Sequence, residues 1–158
     1  MVARQPGVHF AWVGEGECRP ALERQIAELG IQPNVHLLGF RDDARALLSQ
    51  FTVFALSSYL EGLCTSLLDA QALGVPVVAT SVGGIPDVVG HGRTGLLAPA
   101  RDPAAFAALL FEALGDPAAA QRRAQAARLT VRAFSVDAMV ERTLQEYDTV
   151  RRARPGKG

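Results

Sequence analysis

Two acidic residues, Glu61 and Asp69, stand eight positions apart in a stretch whose flanks predict buried strands. The apolar run 53–56 precedes them, the β-branched run 77–80 follows them, and Gly74 ends a short helix in between. This order predicts a strand, a loop, a helix and a second strand, with Glu61 in the loop and Asp69 in the first helical turn. Because a carboxylate accepts hydrogen bonds from hydroxyl groups, both side chains are candidates for holding a sugar or ribose diol.

The segment between the two acids is suited to binding phosphate. Gly62 allows the backbone to come close to a ligand, and the N–H groups of Leu63 to Leu67 open the helix without intrahelical partners. Such a helix start attracts anions. Since ligands of open α/β sheets bind at the carboxyl ends of parallel strands, the loop is predicted to bind a sugar nucleotide.

Asp69 has a purely structural alternative. The pattern Ser66-x-x-Asp69 fits a capping box, in which the Asp69 carboxylate satisfies the helix start, and one carboxylate can serve both purposes. Glu61 precedes the helix, in a loop flanked by apolar residues, and has no such capping role. The functional interpretation is therefore stronger for Glu61 than for Asp69.

Four motifs follow one another in this part of the chain. They are Glu61-Gly62 through Asp69, Ala72-Leu73-Gly74-Val75-Pro76-Val77-Val78-Ala79-Thr80, Gly83-Gly84-Ile85-Pro86-Asp87-Val88-Val89 and Gly92-x-Thr94-Gly95-Leu96-Leu97. In their order and spacing, residues 8–150 resemble the carboxyl-terminal, donor-binding domain of the GT-B retaining glycosyltransferases of family 4. Asp69 stands where that family usually has Glu, and Cys64 stands where it often has Gly.

The resemblance implies a role for each residue of the site. Glu61 orients the donor sugar and is the catalytic candidate, Asp69 binds the ribose, and the amides of Leu63–Ser66 bind the diphosphate. The Gly39-Phe40 corner lies near the nucleobase, and the Gly83-Gly84 pair faces the donor. The predicted donor-binding residues are Gly39, Phe40, Glu61, Gly62, Leu63, Cys64, Thr65, Ser66, Asp69, Gly83 and Gly84.

Two of these positions have equally supported structural alternatives. Gly39-Phe40 also fits a turn at the end of a strand, with Phe40 in the core. Gly83-Gly84 also fits a plain tight turn. The resemblance implies a nucleotide-diphosphate sugar as donor substrate, with no metal and no other cofactor.

The fold class predicted from these patterns is α/β, an open parallel sheet of Rossmann-like type. Five strands are predicted, at 8–13, 35–38, 53–56, 77–80 and 96–98, and the first of them is predicted to be buried. The family's sheet order is 3-2-1-4-5-6, and its first strand has no counterpart here. Direct pairing of strand 8–13 with strand 53–56 would give the order 2-1-3-4-5, which we expect because unpaired central edges invite aggregation.

Several helix starts carry local signals. Asp102-Pro103 and Asp116-Pro117 each combine an N-cap with a first-turn proline, and Ser135 precedes a last helix. A short helix at 44–48 is predicted to be capped by Asp42 or Asp43. The last helix has an apolar stripe, formed by Val136, Met139, Val140, Leu144 and Tyr147.

One domain is predicted over residues 1–150, followed by a disordered tail at 151–158. In the family, a preceding loop supplies an Arg and a Lys to the diphosphate, and a separate amino-terminal domain supplies the acceptor site. Neither has a counterpart here, so the chain is expected to be part of a longer protein, with the amino-terminal GT-B domain as its partner, and inactive alone.

Composition excludes several classes of function. The formal net charge of +0 gives no field for nucleic acid, and no apolar run approaches the length of a membrane span. Contact of the longer protein with a membrane surface stays open. Two cysteines, Cys18 and Cys64, and the absence of a signal peptide predict a cytoplasmic location. His9, His36 and His91 are widely separated and are expected to be unrelated, without a metal site.

Two functions from different classes fit these observations. The first is donor binding within a retaining glycosyltransferase. The second is a non-catalytic nucleotide-binding or protein-interaction module that kept the half fold, and a GT-B epimerase is a weaker third. A Rossmann-like domain encoded upstream in the same gene would favour the first.

Overall fold

The structure is a computed structural model and describes residues 1–153. The predicted disordered tail covers 151–158, and its first three residues are instead the end of a helix. The remainder of that tail, 154–158, lies outside the described residues.

Strands and helices alternate along most of the chain, as predicted. The strands are β1 (Phe10–Val13), β2 (Val35–Gly39), β3 (Phe54–Leu56), β4 (Val77–Thr80) and β5 (Leu96–Ala98). The helices are α1 (Arg19–Glu28), α2 (Ala44–Leu48), α3 (Thr65–Leu73), α4 (Ile85–Val88), α5 (Pro103–Gly115), α6 (Pro117–Thr130) and α7 (Val136–Ala153). Two 3₁₀ turns, Gln32–Asn34 and Val131–Phe134, complete the described elements.

The chain divides into two compact units, Met1–Gln50 and Phe51–Gly158. In the first unit, β1 and β2 pair in parallel, with Phe10 beside Val35. The prediction of a buried first strand was wrong, because Trp12 in β1 keeps 50% of its surface exposed. A two-stranded sheet of this size cannot cover both of its faces.

In the second unit, β3, β4 and β5 form a parallel sheet in that order. All four residues of the central strand β4 are buried, as expected of a parallel strand covered on both faces. Leu67 of α3 and Ile85 of α4 are fully buried, and Ala120, Ala124 and Ala127 form the buried face of α6. Small alanines allow this helix to come close to its neighbours.

The predicted order 2-1-3-4-5 is present only in two pieces. The described residues form one sheet of β1 and β2 and another of β3, β4 and β5. The predicted ladder between β1 and β3 is not among their strand pairs, so the expectation of a single closed sheet was wrong. The resemblance implies a further strand in the family that pairs with both of them, and no strand within residues 1–153 pairs with both. β1 and β3 are consequently edge strands, each of its own sheet.

The capping predictions were confirmed at three helices. The carboxylates of Asp102 and Asp116 accept hydrogen bonds from Ala105 N–H at 2.9 Å and Ala119 N–H at 2.8 Å. The Ser135 hydroxyl accepts from the N–H of Ala138 at 3.2 Å. These starts depend on residues a few positions apart, so local sequence is sufficient to identify them.

The cap predicted for α2 was wrong. Asp43 occupies the N-cap position but makes no capping bond with its side chain. Its two carboxylate oxygens instead each accept a hydrogen bond of 2.7 Å from the Arg41 guanidinium. This bond and the adjacent positive charge lower the pKa of Asp43 below its usual value. A bidentate arginine two residues away therefore competes successfully with the helix start.

The apolar stripe of α7 lies on the surface of its unit. Its members keep between 46% and 70% of their surface exposed. No helix within residues 1–153 has both the length and the apolar character that crossing a bilayer requires.

Candidate functional site

The loop after β3 carries Glu61, whose carboxylate is half-buried and held by a neighbouring hydroxyl. Ser58 donates a hydrogen bond to Oε2 of Glu61 at 3.2 Å. Ser58 is itself fixed, because the buried Thr80 hydroxyl at the end of β4 donates to its carbonyl oxygen at 2.6 Å. The carboxylate is therefore tied to the carboxyl end of the central strand through a chain of two hydrogen bonds.

The glycine pair after β4 packs directly on this loop. A Cβ atom at Gly83 would collide with the carbonyl oxygen of Glu61, and one at Gly84 would lie 2.7 Å from the carbonyl oxygen of Gly62. Gly84 N–H also donates to the Glu61 carbonyl at 3.4 Å. Gly83 has a φ of +51°, which other residues adopt only with strain. The pair thus allows two backbone segments to touch.

The helix after the loop begins differently from the prediction. Its N-cap is Cys64, which makes no capping bond with its side chain, and helix α3 starts at Thr65. Ser66 is therefore inside the helix, with its hydroxyl 3.1 Å from the Cys64 sulfur, so the capping box was wrong. No side chain at the N-cap therefore fixes the start of this helix.

The amides that open α3 divide into two groups. The N–H groups of Leu67 and Leu68 both donate to the Cys64 carbonyl at 3.2 Å. Leu67 was predicted to have an unpartnered amide, and that prediction was wrong. The amides of residues 63–66 precede this first helical bond, at the end where a helix attracts anions.

Asp69 lies further along α3 than expected. It is the fifth residue of the helix, past its first turn, and is half-buried. A residue in the second turn is not at a capping position, so Asp69 does not account for the start of α3. The predicted ribose contact is not tested by this geometry and stays a prediction.

The structure brings most of the predicted site residues into the second unit, at the carboxyl edge of β3 and β4. Glu61, Gly62, Gly83 and Gly84 are in direct backbone contact there. Gly39 and Phe40 belong to the first unit, where Gly39 ends β2 with a φ of +69°. Phe40 keeps 75% of its surface exposed, so the alternative that places Phe40 in the core was wrong.

Four residues of this region were not singled out from the sequence. Ser58 and Thr80 support Glu61 as described, and Tyr59 lies under the guanidinium of Arg101, with 5.8 Å from Arg101 Cζ to the ring centre. A threonine at the end of a β-branched run and a serine three residues before the acid are weak signals. They become informative only when the two strands are known to be neighbours.

A shallow pocket of about 510 Å³ lies at the same sheet edge. It is lined by Ser81, His91 and residues 97–100, and none of the predicted donor-binding residues line it. The Glu61 loop is the better candidate site, because that loop combines a carboxylate, the amides that open α3 and close backbone contact. The pocket has one ionisable side chain in its lining, that of His91.

Two of the histidines are neighbours in the first unit. Nδ1 of His9 lies 3.1 Å from Nε2 of His36, and the rings stack with centres 5.4 Å apart. The expectation that they are unrelated was wrong, since parallel pairing of β1 and β2 brings them together. Within residues 1–153, no group of three or more His, Cys, Asp or Glu side chains could hold a metal ion.

Comparison with known families and proteins agrees with this architecture. Residues 1–116 match the family model described as glycosyl transferases group 1. The chain is 34% identical over 145 residues to the lipopolysaccharide core biosynthesis glycosyltransferase LpsE of Rhizobium meliloti, covering 91% of this chain and 43% of LpsE. It is 35% identical over 147 residues to the D-inositol 3-phosphate glycosyltransferase of Streptomyces avermitilis, covering 89% of this chain and 31% of that protein.

Solved structures share the fold. Anabaena Alr3699/HepE in complex with UDP superposes with a TM-score of 0.85 at 25% identity, covering 91% of this chain and 42% of that one. Sucrose-phosphate synthase from Thermosynechococcus elongatus superposes with a TM-score of 0.84 at 28% identity, covering 97% and 41%. The Rossmann-like α/β class predicted from the sequence is thereby confirmed, and the chain spans less than half the length of these proteins.

Proposed function

Because this chain belongs to the glycosyl transferases group 1 family, we propose that it forms the nucleotide-sugar site of a retaining glycosyltransferase. The contact between the Glu61–Gly62 loop and the Gly83–Gly84 turn carries the proposal. It packs the backbone of Glu61, four residues before helix α3, against the turn after β4 at the carboxyl edge of a parallel sheet, while Ser58 holds the carboxylate. An α/β fold of this type binds its ligands at that edge.

The chemistry of the site suits a donor of the nucleotide-diphosphate class. Amides of residues 63–66 would hold the diphosphate, whose negative charge rises as the sugar–phosphate bond breaks. The Glu61 carboxylate would accept hydrogen bonds from donor-sugar hydroxyls and orient the ring, and Asp69 would hold the ribose. Anabaena Alr3699/HepE has been crystallised with UDP and with UDP-glucose, which supports a ligand of this class here.

We extend the proposal to the remainder of the active site. The chain covers 43% of LpsE, so a protein of that size has room for a second domain. That domain would provide the acceptor site, the transfer would retain the anomeric configuration without a metal ion, and this chain alone would not turn over. Cys18 and Cys64 are free thiols, which supports the proposed cytoplasmic location.

Titration of the 158-residue chain with UDP and GDP tests the binding part of this proposal. We expect weak binding, with a dissociation constant of about 1 mM, equivalent to about −4 kcal/mol. Amide shifts in an NMR titration should centre on residues 61–69. Shifts that avoid these residues would refute the site, and saturable shifts with no transferase activity in the longer protein would favour the non-catalytic module.

A further inference from the structure

We propose that Arg101 is a positioning residue, which holds the segment 58–62, and with it the Glu61 carboxylate, through its contact with Tyr59. This inference rests on the proposed function, since it concerns the same site. Arg101 lies in the turn between β5 and α5, more than thirty positions away from the loop in sequence. No sequence pattern connects the two.

The backbone of Arg101 adopts a conformation that costs a residue other than glycine free energy. Its φ is +61°, and among residues 1–153 it is the one residue other than glycine with a positive φ. Glycine or asparagine would adopt this conformation with less strain. A strained residue of this kind persists where surrounding contacts hold it, and functional loops are where such residues cluster.

The side chain of Arg101 reaches across the sheet edge to the ring of Tyr59. The distance of 5.8 Å from Cζ to the ring centre is within the range of a cation–π contact. Tyr59 keeps 70% of its surface exposed and Leu60 keeps 89%, so burial contributes little to fixing this part of the loop. The contact supplies a restraint that burial does not.

The loop is otherwise held at its two ends. Thr80 fixes the Ser58 carbonyl, and the glycine pair at 83–84 fixes the Glu61 carbonyl. Tyr59 and Leu60 span the interval between these two points. An arginine stacked on Tyr59 would restrict the motion of residues 59 and 60. It would consequently restrict the direction in which the Glu61 side chain points.

The test uses the 158-residue chain and compares Arg101→Asn and Arg101→Lys with Tyr59→Ala and Tyr59→Phe. Asparagine tolerates the left-handed backbone but removes the cation, and phenylalanine keeps the ring. Heteronuclear NOE values report the mobility of residues 59–62 without any ligand. We expect Arg101→Asn and Tyr59→Ala to increase this mobility, with Arg101→Lys and Tyr59→Phe close to wild type.

Two further measurements separate positioning from a structural role. The melting temperature of Arg101→Asn should not fall, because the substitution relieves backbone strain. The KM of the longer protein for the UDP-sugar donor should rise about two- to five-fold in Arg101→Asn, the size of an exposed cation–π contact, with kcat little changed. The double variant with Tyr59→Ala should lose no more than either single variant.

The outcomes distinguish this inference from the proposed function. Unchanged mobility of residues 59–62 in Arg101→Asn would overturn the positioning role, whether or not a nucleotide binds. Additive losses in the double variant would also overturn it, since two independent contacts would then be involved. If Arg101→Asn increases the mobility of residues 59–62 but the wild-type chain binds neither UDP nor GDP, the proposed function is refuted and the positioning role of Arg101 is retained.

Discussion

At the scale of single residues, the candidate site depends on the restraint of one carboxylate. Glu61 receives a hydrogen bond from Ser58, and its carbonyl is packed against the Gly83-Gly84 turn. A side chain held in this way loses less conformational entropy when it binds a ligand. Restraint of this kind would favour the binding role proposed for Glu61.

Replacement of Glu61 by glutamine in the longer protein should lower transferase activity more than replacement of Asp69 by asparagine. Glutamine keeps the shape but removes the charge, and hydrogen bonds to charged groups contribute about 1.5–3 kcal/mol, equivalent to about ten- to hundred-fold in rate. The same loss of charge at position 69 should affect the rate less, because the proposed ribose contact lies away from the sugar–phosphate bond that breaks. Initial rates and melting temperatures of both variants check this.

Glu141→Gln provides the matched control, because Glu141 is exposed on α7 and should leave both measurements unchanged. Wild-type turnover by the Glu61 variant would rule out its proposed role. A large fall in its melting temperature would assign the loss to folding instead.

Sequence identified Glu61 correctly as a loop residue but not its support. The hydrogen bond from Thr80 to Ser58 joins the ends of two neighbouring strands, and no local sequence pattern indicates it. The same holds for Arg101 and Tyr59. Contacts between loops depend on which strands are neighbours, and only the three-dimensional structure supplies that.

At the scale of elements, short-range signals located β4, β5 and the starts of α5 and α6, but they failed for the cap of α2 and the start of α3. β4 and β5 have the predicted bounds, 77–80 and 96–98, because each is a short apolar run bounded by turn residues. Helices α5 and α6 start at the predicted aspartates. The start of α3 moved because no capping side chain fixes it, and β1 is less buried than its composition suggests.

Loop and turn meet through a backbone contact that a single methyl group would break. Gly83→Ala should place a Cβ atom against the Glu61 carbonyl, in addition to the strain of a positive φ. Overpacking of this kind costs about 1–3 kcal/mol beyond the strain itself. The free energy of unfolding, measured by urea denaturation, reports the sum of both costs.

Gly92→Ala separates the two costs. Gly92 has a φ of +74°, and no atom lies within 4 Å of the position that an alanine methyl group would take. Its substitution should therefore show strain alone, about 1–2 kcal/mol. Equal losses for the two variants would mean that the loop moves aside freely. Amide shifts of residues 61 and 62 should change in Gly83→Ala and stay unchanged in Gly92→Ala.

At the scale of the whole molecule, strand identity was predictable but strand pairing was only partly so. The pairs within β1–β2 and within β3–β4–β5 follow the family order. The predicted pairing of β1 with β3 depended on the assumption that the two strands pair directly when the family's first strand is missing. The hydrophobic pattern of the sequence cannot decide whether β1 pairs with β3. Edge strands and central strands have similar apolar runs when they are as short as these two.

The two units should differ in stability, since their cores differ in size. Among the buried apolar side chains of the described residues, Leu48 alone belongs to Met1–Gln50. The others, including Leu67, Val78 and Ile85, belong to the second unit. A segment of about 60 residues already has a marginal core on size alone, and the first unit is smaller.

Native-state hydrogen exchange should therefore show two levels of protection. We expect the amides of β4 to exchange only through global unfolding of the second unit, and those of β1 and β2 to exchange through a local opening of lower free energy. A gap of at least about 1.4 kcal/mol, which is tenfold in exchange rate, would be resolved by NMR. Equal protection of β2 and β4 amides would contradict the division, because a single cooperative unit would then open as a whole. Addition of UDP should raise protection around residues 61–66 if the proposed site is correct, since a ligand that binds only the native state stabilises it by mass action.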